Sequence, residues 1–305
     1  VGHKGQAGVN HMNTGGLVGV IQTAAGLGTK AIVKDCACYA NVSANLYVGG
    51  LVGEVIPSVA DVDIEIKNCL FKGSLAVHSK NSYGWSVGGG IVGCVGNGTV
   101  NGNAKITSCA ALVDGITFGA ADGNAGYGGV AGYVTAGAFE KNVNSGVLSV
   151  SEAMHELDWG GVVGASSVSI SECVNAGSLT INEAITKARV GGVIGLLEAG
   201  SVVNSENSGK LLFDENFVIN GSCNVGGVVA YAEKGTKSIE NCVNSGSITY
   251  LGSCTYKSRT STTGNANLVL GGVVGFAWSE LIKDCSNYST AVITVAGNVS
   301  GNGKI

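Results

Sequence analysis

Proline, charge and long apolar runs are all scarce in this 305-residue chain. It contains one Pro and no glycine at every third position, which excludes a collagen triple helix despite its 51 Gly residues. Only 12% of the residues are charged and the net charge is −4, so the chain lacks the basic surface typical of nucleic-acid binding. No stretch reaches the roughly 18 consecutive apolar residues of a membrane-spanning helix. We therefore expect no nucleic-acid partner and no membrane insertion.

The residues that are abundant favour β-structure. Hydrophobic residues make up 45% of the chain, with many Val and Ile, which argues against intrinsic disorder. Windows rich in Gly and Val are poor helix formers, so a coiled coil is excluded as well. The composition therefore predicts an all-β protein.

A pentapeptide of the form Gly-Gly-aliphatic-aliphatic-Gly recurs along the chain. Its eight copies start at Gly15, Gly49, Gly89, Gly128, Gly160, Gly191, Gly226 and Gly271, with 31 to 45 residues between successive starts. The fifth position is Gly in seven copies and Ala230 in the other. A fixed unit with variable insertions is typical of a solenoid, in which the insertions emerge as loops between coils.

A second element follows each pentapeptide and has the form Ile-x-x-Cys-x-Asn-x-Gly-x-Leu, most clearly over Ile170–Leu179 and Ile239–Ile248. Its Cys column contains small residues: Cys36, Cys69, Cys109, Asn142, Cys173, Ser205, Cys242 and Cys285. Its Asn column contains Asn144, Asn175, Asn207, Asn244 and Asn287. Because Asn tolerates a left-handed backbone and hydrogen-bonds its neighbours, this second column predicts a repeated tight turn.

The two elements, with their alternation of apolar and polar residues, predict a single parallel β-helix of about eight coils with three short strands each. A right-handed wind is the default for parallel crossovers. The coils would span residues 15–295, between a leading segment at 1–14 and a C-terminal tail at 296–305. We also expect the chain to be a segment of a longer protein.

The paired motifs carry a family resemblance. Gly15–Gly19 and Gly49–Gly53, combined with Asn241–Gly246, resemble the GLUG repeat of bacterial cell-surface proteins and adhesins, which also occurs beside some immunoglobulin A-cleaving metallopeptidases. The resemblance covers roughly residues 15–295. It implies an extracellular module of the bacterial cell surface, a non-catalytic adhesin or stalk that binds a host or microbial glycan or protein. It brings no catalytic residues with it.

Aromatic residues are the candidate ligand contacts. Tyr47, Trp85, Tyr127 and Trp159 each lie within five residues before a pentapeptide, so they could form a row on one side of the rod and stack on sugar rings. The alternative is that they fill the core. Tyr256 belongs to the longest insertion, at 251–270, together with Lys257 and Arg259, and marks a second candidate surface.

The cysteines predict a reduced ladder. Six of the ten share one column, and stacked residues have parallel Cβ vectors ~5 Å apart, beyond the spacing that a disulfide prefers. Cys223 and Cys254 lie off this ladder and could pair. Since no Cys-x-x-Cys occurs, we expect no metal, and nothing in the sequence implies a cofactor.

The enzyme alternative is a polysaccharide lyase or glycoside hydrolase of the β-helix type, which would need clustered carboxylates. The densest acidic group is Glu152, Glu156 and Asp158, with His155 among them. We interpret it as a solvated loop, with a catalytic or calcium cluster as the alternative. Residues 155–159 begin like His-Glu-x-x-His, but Trp159 occupies the second His position, which excludes a zinc peptidase site.

One feature of the pentapeptide is ambiguous. Its third and fourth positions are aliphatic in every copy, yet successive residues of a straight strand point to opposite faces. We favour a bend at the glycines that turns both columns into the core. The alternative is an outward apolar stripe that a partner segment would have to cover.

Overall fold

The structure, a computed structural model, describes residues 13–24, 30–59, 62–78, 85–96, 102–112, 116–118, 124–150, 152–256, 267–278 and 281–301. These ranges contain forty short strands and no helix. Within them, accordingly, no helix exists that is long and apolar enough to cross a membrane.

In chain order, the first twenty strands are β1 Asn13–Gly15, β2 Val18–Gln22, β3 Lys30–Lys34, β4 Ala37–Cys38, β5 Val42–Ala44, β6 Tyr47–Gly49, β7 Val52–Ile56, β8 Asp63–Lys67, β9 Leu70–Phe71, β10 Leu75–Val77, β11 Trp85–Gly89, β12 Val92–Val95, β13 Ala104–Thr107, β14 Ala110–Ala111, β15 Ile116–Phe118, β16 Asn124–Gly128, β17 Ala131–Val134, β18 Ala138–Glu140, β19 Val143–Asn144 and β20 Leu148–Val150. The remaining strands are β21 Met154–Gly160, β22 Val163–Ser166, β23 Ile170–Ser171, β24 Val174–Asn175, β25 Leu179–Ile181, β26 Ala184–Gly191, β27 Ile194–Val203, β28 Glu206–Asn207, β29 Leu211–Phe213, β30 Val218–Gly226, β31 Val229–Glu240, β32 Val243–Asn244, β33 Ile248–Tyr250, β34 Ser253–Tyr256, β35 Asn267–Gly271, β36 Val274–Ala277, β37 Leu281–Lys283, β38 Ser286–Asn287, β39 Ile293–Val295 and β40 Val299–Gly301.

Each coil passes in turn through four parallel sheets. Sheet 1 leads into the pentapeptide and contains β1, β6, β11, β16, β21, β26, β30, β34, β35 and β40. Sheet 2 follows the pentapeptide and contains β2, β3, β7, β8, β12, β13, β17, β18, β22, β23, β27, β31, β36 and β37. Sheet 3 contains β4, β9, β14, β19, β24, β28, β32 and β38, and sheet 4 contains β5, β10, β15, β20, β25, β29, β33 and β39. Equivalent residues stack in register, as Gly160 does on Gly191. The parallel β-helix predicted from the repeats is confirmed.

The number of strands in a coil is larger than the sequence predicts. A coil such as β6 to β10 contains five strands instead of three. An insertion separates the strand after the pentapeptide from the strand before the Cys column, and both belong to sheet 2. Where that connection is itself extended, the two merge into one long strand, as in β27 and β31.

The pentapeptide forms the bend that brings both of its aliphatic columns into the core. In the six inner copies the third and fourth positions are completely buried, as Leu51 and Val52 are. Glycine permits the bend because a Cβ at Gly49 would overlap the carbonyl oxygen of Val52, and one at Gly50 would overlap that of Gly90 in the next coil. Within the described coils, the two aliphatic columns therefore do not form an outward stripe, apart from exposed residues of the first coil such as Leu17.

A left-handed residue precedes the Cys column in all eight coils, with φ between 51° and 57°. These residues are Asp35, Asn68, Ser108, Lys141, Glu172, Asn204, Asn241 and Asp284. Asp35, Glu172 and Asp284 have exposed side chains, as expected for an outward position. The Asn column does not adopt this backbone, since the left-handed position lies three residues earlier in each coil, but it does form a hydrogen-bonded turn, in which Oδ1 of Asn144 accepts from the backbone N–H of Gly146 at 3.0 Å.

The Asn column forms a buried amide ladder. Nδ2 of Asn144 donates to Oδ1 of Asn175 at 2.8 Å, and the same 2.8 Å bond continues through Asn207, Asn244 and Asn287. The second pentapeptide glycine leaves room for this ladder, since a Cβ there would overlap the Asn side chain. The amide ladder therefore stabilises the stacking of these coils inside the core.

The six cysteines of the Cys column are free thiols, and all ten cysteines of the chain are unpaired, Cys223 and Cys254 among them. Each column thiol donates to the carbonyl two residues earlier, as Sγ of Cys173 does to Ser171 at 3.3 Å. Oγ of Ser205 makes the same bond to Val203 at 3.1 Å. The column thus selects a small side chain that can donate a hydrogen bond, which explains why Ser replaces Cys there.

Candidate functional site

The four aromatic residues before the pentapeptides do not form one row. Tyr47 and Trp85 are half-buried and lie two and four residues before their pentapeptides, whereas Tyr127 and Trp159 lie one residue before theirs and are completely buried. Because side chains alternate between the two faces of a strand, a side chain two or four residues before the pentapeptide points outward, and one that lies one residue before it points into the core. Tyr127 and Trp159 therefore belong to the core and cannot stack on a ligand.

The insertion proposed as a second contact surface falls mostly outside the described residues. Tyr256 ends β34, but its side chain lies outside the described part of the chain, and so do Lys257 and Arg259.

A cleft of about 300 Å³ opens between sheets 1 and 2 near the C-terminal end of the described coils. Sheet 1 contributes side chains two and four residues before a pentapeptide, and sheet 2 contributes mainly the side chains that directly follow one. The lining residues are Lys187, Arg189, Ser222, Asn224, Tyr231, Glu233, Val269 and Phe276. The cleft thus combines apolar rings, hydroxyl and amide groups, and charges of both signs.

One wall of the cleft is aromatic. The rings of Tyr231 and Phe276 stack with their centroids 5.0 Å apart and their planes 8° from parallel. Trp278 meets Phe276 edge-on at 5.5 Å, and its Nε1 donates to Oη of Tyr231 at 2.8 Å. These contacts fix the three rings into a rigid apolar surface, of which Trp278 is half exposed.

The opposite wall is an ion-pair network centred on Arg189. Its Nη1 donates to Oδ1 of Asp158 at 2.5 Å and its Nη2 to Oε1 of Glu156 at 2.6 Å. Nζ of Lys187 reaches the same Glu156 oxygen at 2.6 Å. The guanidinium carbon also lies 5.4 Å from the ring centroid of Tyr231, which joins the two walls by a cation–π contact.

The acidic group is therefore not the solvated loop that we expected. Glu156 and Asp158 lie on β21 and point toward Arg189, whereas Glu152 and His155 remain exposed. Register explains the pairing, because Glu156 stacks on Lys187 and Asp158 on Arg189 in the next coil. Parallel coils thus place these opposite charges side by side.

The environments of the two carboxyl groups separate their pKa values. Burial raises the pKa of Asp158 to about 7, and the nearby Arg189 offsets this effect only in part. Burial also opposes the charge on Glu156, but its hydrogen bonds and charge interactions with Lys187 and Arg189 outweigh it and lower the pKa of Glu156 below its ordinary value. Asp158 is 1% exposed behind Arg189, and neither carboxyl group lines the cleft. The pair holds Arg189 in place and has no direct access to a ligand in the cleft.

A second aromatic cluster lies on the same side of the rod. Trp85 and Tyr133 approach with centroids 5.0 Å apart. Oη of Tyr133 donates to Oε2 of Glu198 at 2.9 Å, and Oγ of Ser167 donates to the same oxygen. The Asn124 amide, oriented to satisfy both neighbours, accepts from Nε1 of Trp85 and donates to Glu156, each at 3.2 Å. Hydrogen bonds therefore connect this cluster to the ion-pair network of the cleft.

The sequence contains a signal for the residues that were missed. Tyr133, Tyr231 and Phe276 each directly follow the fifth pentapeptide position, and Arg189 and Asn224 lie two residues before the first. Sorting the flanking residues by odd and even offset would have identified both walls of the cleft.

No protein-family model, no curated protein and no solved structure matches the chain. Among the described residues, no group of three or more His, Cys, Asp or Glu side chains could hold a metal ion.

Proposed function

We propose that the chain is a non-catalytic saccharide-binding module of an extracellular bacterial adhesin and that the cleft is its ligand site. The observation that carries the proposal is the stacked pair Tyr231 and Phe276, facing the polar side chains of Ser222 and Asn224 across the cleft. A pyranose ring has an apolar face and a polar rim. The apolar edges of the two rings suit the first, since Phe276 and Arg189 cover the faces of Tyr231, and convergent hydrogen-bonding groups suit the second.

The resemblance to the GLUG repeat supports the proposed location on the bacterial cell surface. The regular coils form a parallel stack in which each unit contacts its neighbours, which suits a rod that holds a binding site away from the cell. Loops of variable length between such coils allow recognition to vary without disturbing the core.

A polysaccharide-cleaving enzyme is the second candidate, because Glu156 and Asp158 have pKa values shifted in opposite directions. Their position behind Arg189 favours binding over catalysis. Release of new reducing ends from a polysaccharide, abolished by Glu156→Gln, would establish the enzyme instead.

The decisive experiment is a glycan array probed with the wild-type chain and with Tyr231→Ala and Phe276→Ala. Saturable binding that both substitutions weaken is the expected result. Tyr39→Ala is the matched control, since this ring is 67% exposed and lies in the first described coil, away from the cleft. Absence of binding to any glycan, or binding that survives both cleft substitutions, would contradict the proposal.

A further inference from the structure

We infer that the C-terminal end of the rod is an interface at which two copies of this chain dock, each through its last coil, to form a closed dimer. The last coil comprises the described residues 267–278 and 281–301, which contain β35 to β40. The inference goes beyond the proposed function, because it concerns a second copy of the chain and not the ligand of the cleft. Neither depends on the other.

The strands of the last coil leave one edge of three sheets open. β36 and β37 pair with β31, β38 with β32 and β39 with β33, and no described strand of these sheets lies beyond them. The N–H and C=O groups of such an edge are a template for further strands, and monomers usually protect it with charge or Pro. The described last coil contains no Pro, and Lys283 and Asp284 are its only charged residues.

The side chains at this end are core residues without a covering coil. Ile239 and Ile248 are completely buried in the preceding coil, whereas their register partners Ile282 and Ile293 are 48% and 39% exposed. Val295, two residues further along β39, is 49% exposed. The same columns that form the core in the inner coils therefore form an apolar surface here, which is typical of a protein–protein interface.

The amide ladder ends at this surface with a donor. Each inner Asn of the ladder donates through Nδ2 to the Asn of the next coil, as Asn244 does to Asn287 at 2.8 Å. At Asn287 no further Asn follows among the described residues, and its Nδ2 donates to the carbonyl oxygen of Ala291 at 3.4 Å. A docked chain can offer this amide an edge carbonyl at the ordinary length of about 2.9 Å.

Charge and size favour a second copy of this chain as the occupant. Nζ of Lys283 and Oδ2 of Asp284 lie 3.6 Å apart, so this pair of opposite charges attracts neither a basic nor an acidic partner, and two identical ends do not repel each other. The described last coil has roughly 30 residues, which is as many as each partner contributes to a stable interface.

The two ends of the rod differ, which favours contact between like ends. The first coil is exposed at Leu17 but closed over sheet 4, where Val42 and Ala44 are 1% exposed although β5 is the outermost strand. A head-to-tail contact would need both ends open and would continue into a filament, whereas two C-terminal ends related by a twofold axis form a closed dimer. Their edge strands then run antiparallel to each other, as in mixed sheets.

Sedimentation-velocity ultracentrifugation of the chain over a concentration series tests the inference. We expect a concentration-dependent step from monomer to dimer and no larger species. Val295→Lys and Ile282→Lys should each weaken the dimer about tenfold or more, because each places a charge in the apolar interface. The matched controls are Val147→Lys and Ile32→Lys. These side chains are 50% and 55% exposed and belong to other coils, so the dissociation constant should not change.

Hydrogen exchange separates loss of the interface from loss of the fold. In the wild type, the backbone amides of residues 281–295 should exchange more slowly at concentrations at which the dimer forms, while those of residues 239–250 in the preceding coil should not change. This measurement needs no variant, so it decides the matter even if the lysine variants unfold the last coil.

Four results would overturn the inference. They are a monomer at every concentration up to about 1 mM, species larger than a dimer, controls that weaken the dimer as much as the two test variants do, and concentration-dependent protection that appears in the first coil instead of the last.

Discussion

Arg189 and Asp158 are direct register partners on neighbouring coils, and the guanidinium of the first donates to the carboxylate of the second at 2.5 Å. Both side chains are almost completely buried. The pair therefore lies in a low-dielectric environment, where neither charge is stable without the other. Its geometry places the guanidinium carbon of Arg189 over the ring of Tyr231, so the ion pair supports the aromatic wall of the cleft.

Removal of Arg189 should destabilise the fold. Arg189→Gln leaves the buried Asp158 carboxyl group without its cation, and we expect the free energy of unfolding at neutral pH to fall by about 3 kcal/mol. Urea denaturation followed by circular dichroism measures this change. Lys141→Gln is the control, because its contact with Glu172 is 3.8 Å long and exposed, and its loss should have no measurable effect. Equal effects of the two substitutions would contradict the prediction.

Asp158 should make the protein less stable as the pH rises from about 4 to about 7. The pKa of this group rises on folding from its ordinary 3.8 to about 7, so in this window the folded state binds more protons than the unfolded state. Glu156 acts in the opposite sense and at lower pH, because its folded pKa lies below 4.5 and its contribution is lost as the pH falls through that value. Arg189 and Lys187 are the basic side chains that face these carboxyl groups.

Melting temperatures of the wild type and of Asp158→Asn between about pH 2 and pH 8 test this assignment. The asparagine cannot titrate, so the variant should lose the decline between pH 4 and 7 and keep the acid-side loss due to Glu156. Parallel curves for the two proteins would show that Asp158 does not titrate in this range.

The sequence predicts the repeat, the parallel coils and the Cys and Asn columns, because each follows from the spacing of the repeated motifs alone. It also contains the pairing of Glu156 with Lys187 and of Asp158 with Arg189, since each pair occupies the same offset from its pentapeptide. What it does not contain is the angle at which sheets 1 and 2 meet. That angle depends on packing across the glycine bend, and it creates the cleft.

Two of the differences between the expectations and the structure have the same kind of cause, a competition between roles of one residue type. Asn tolerates left-handed backbone, but a column of Asn also forms amide ladders, and the 2.8 Å bond between Asn144 and Asn175 shows that the ladder prevails. Aromatic side chains suit both ligand sites and cores. The odd offset of Trp159 assigns it to the core, and the even offset of Trp85 assigns it to the surface.

We expect the middle of the amide ladder to contribute more to the free energy of unfolding than its end does. Asn207→Ala removes the bonds to Asn175 and Asn244 and leaves buried amide groups unpaired, so we expect a loss of about 3 kcal/mol in the free energy of unfolding. Asn287→Ala removes a residue at the exposed end of the ladder and should cost less than half as much. Urea denaturation measures both, and equal losses would show that the column acts by shape alone.

The thiol column predicts two results for Cys173. Cys173→Ser should change the stability by less than about 1 kcal/mol, because Ser205 already makes the same bond to the carbonyl two residues earlier. Cys173→Val, which cannot donate, should destabilise the coil more than the serine variant does.

Burial also raises the pKa of the Cys173 thiol to about 12, so the thiolate that reacts with an aromatic disulfide reagent is scarce in the folded protein. In the wild type the half-buried Cys36 and Cys285, at the two ends of the column, should react first, and Cys173 only when the chain unfolds. Rapid modification of Cys173 under native conditions, located by peptide mapping, would contradict a closed core at this coil.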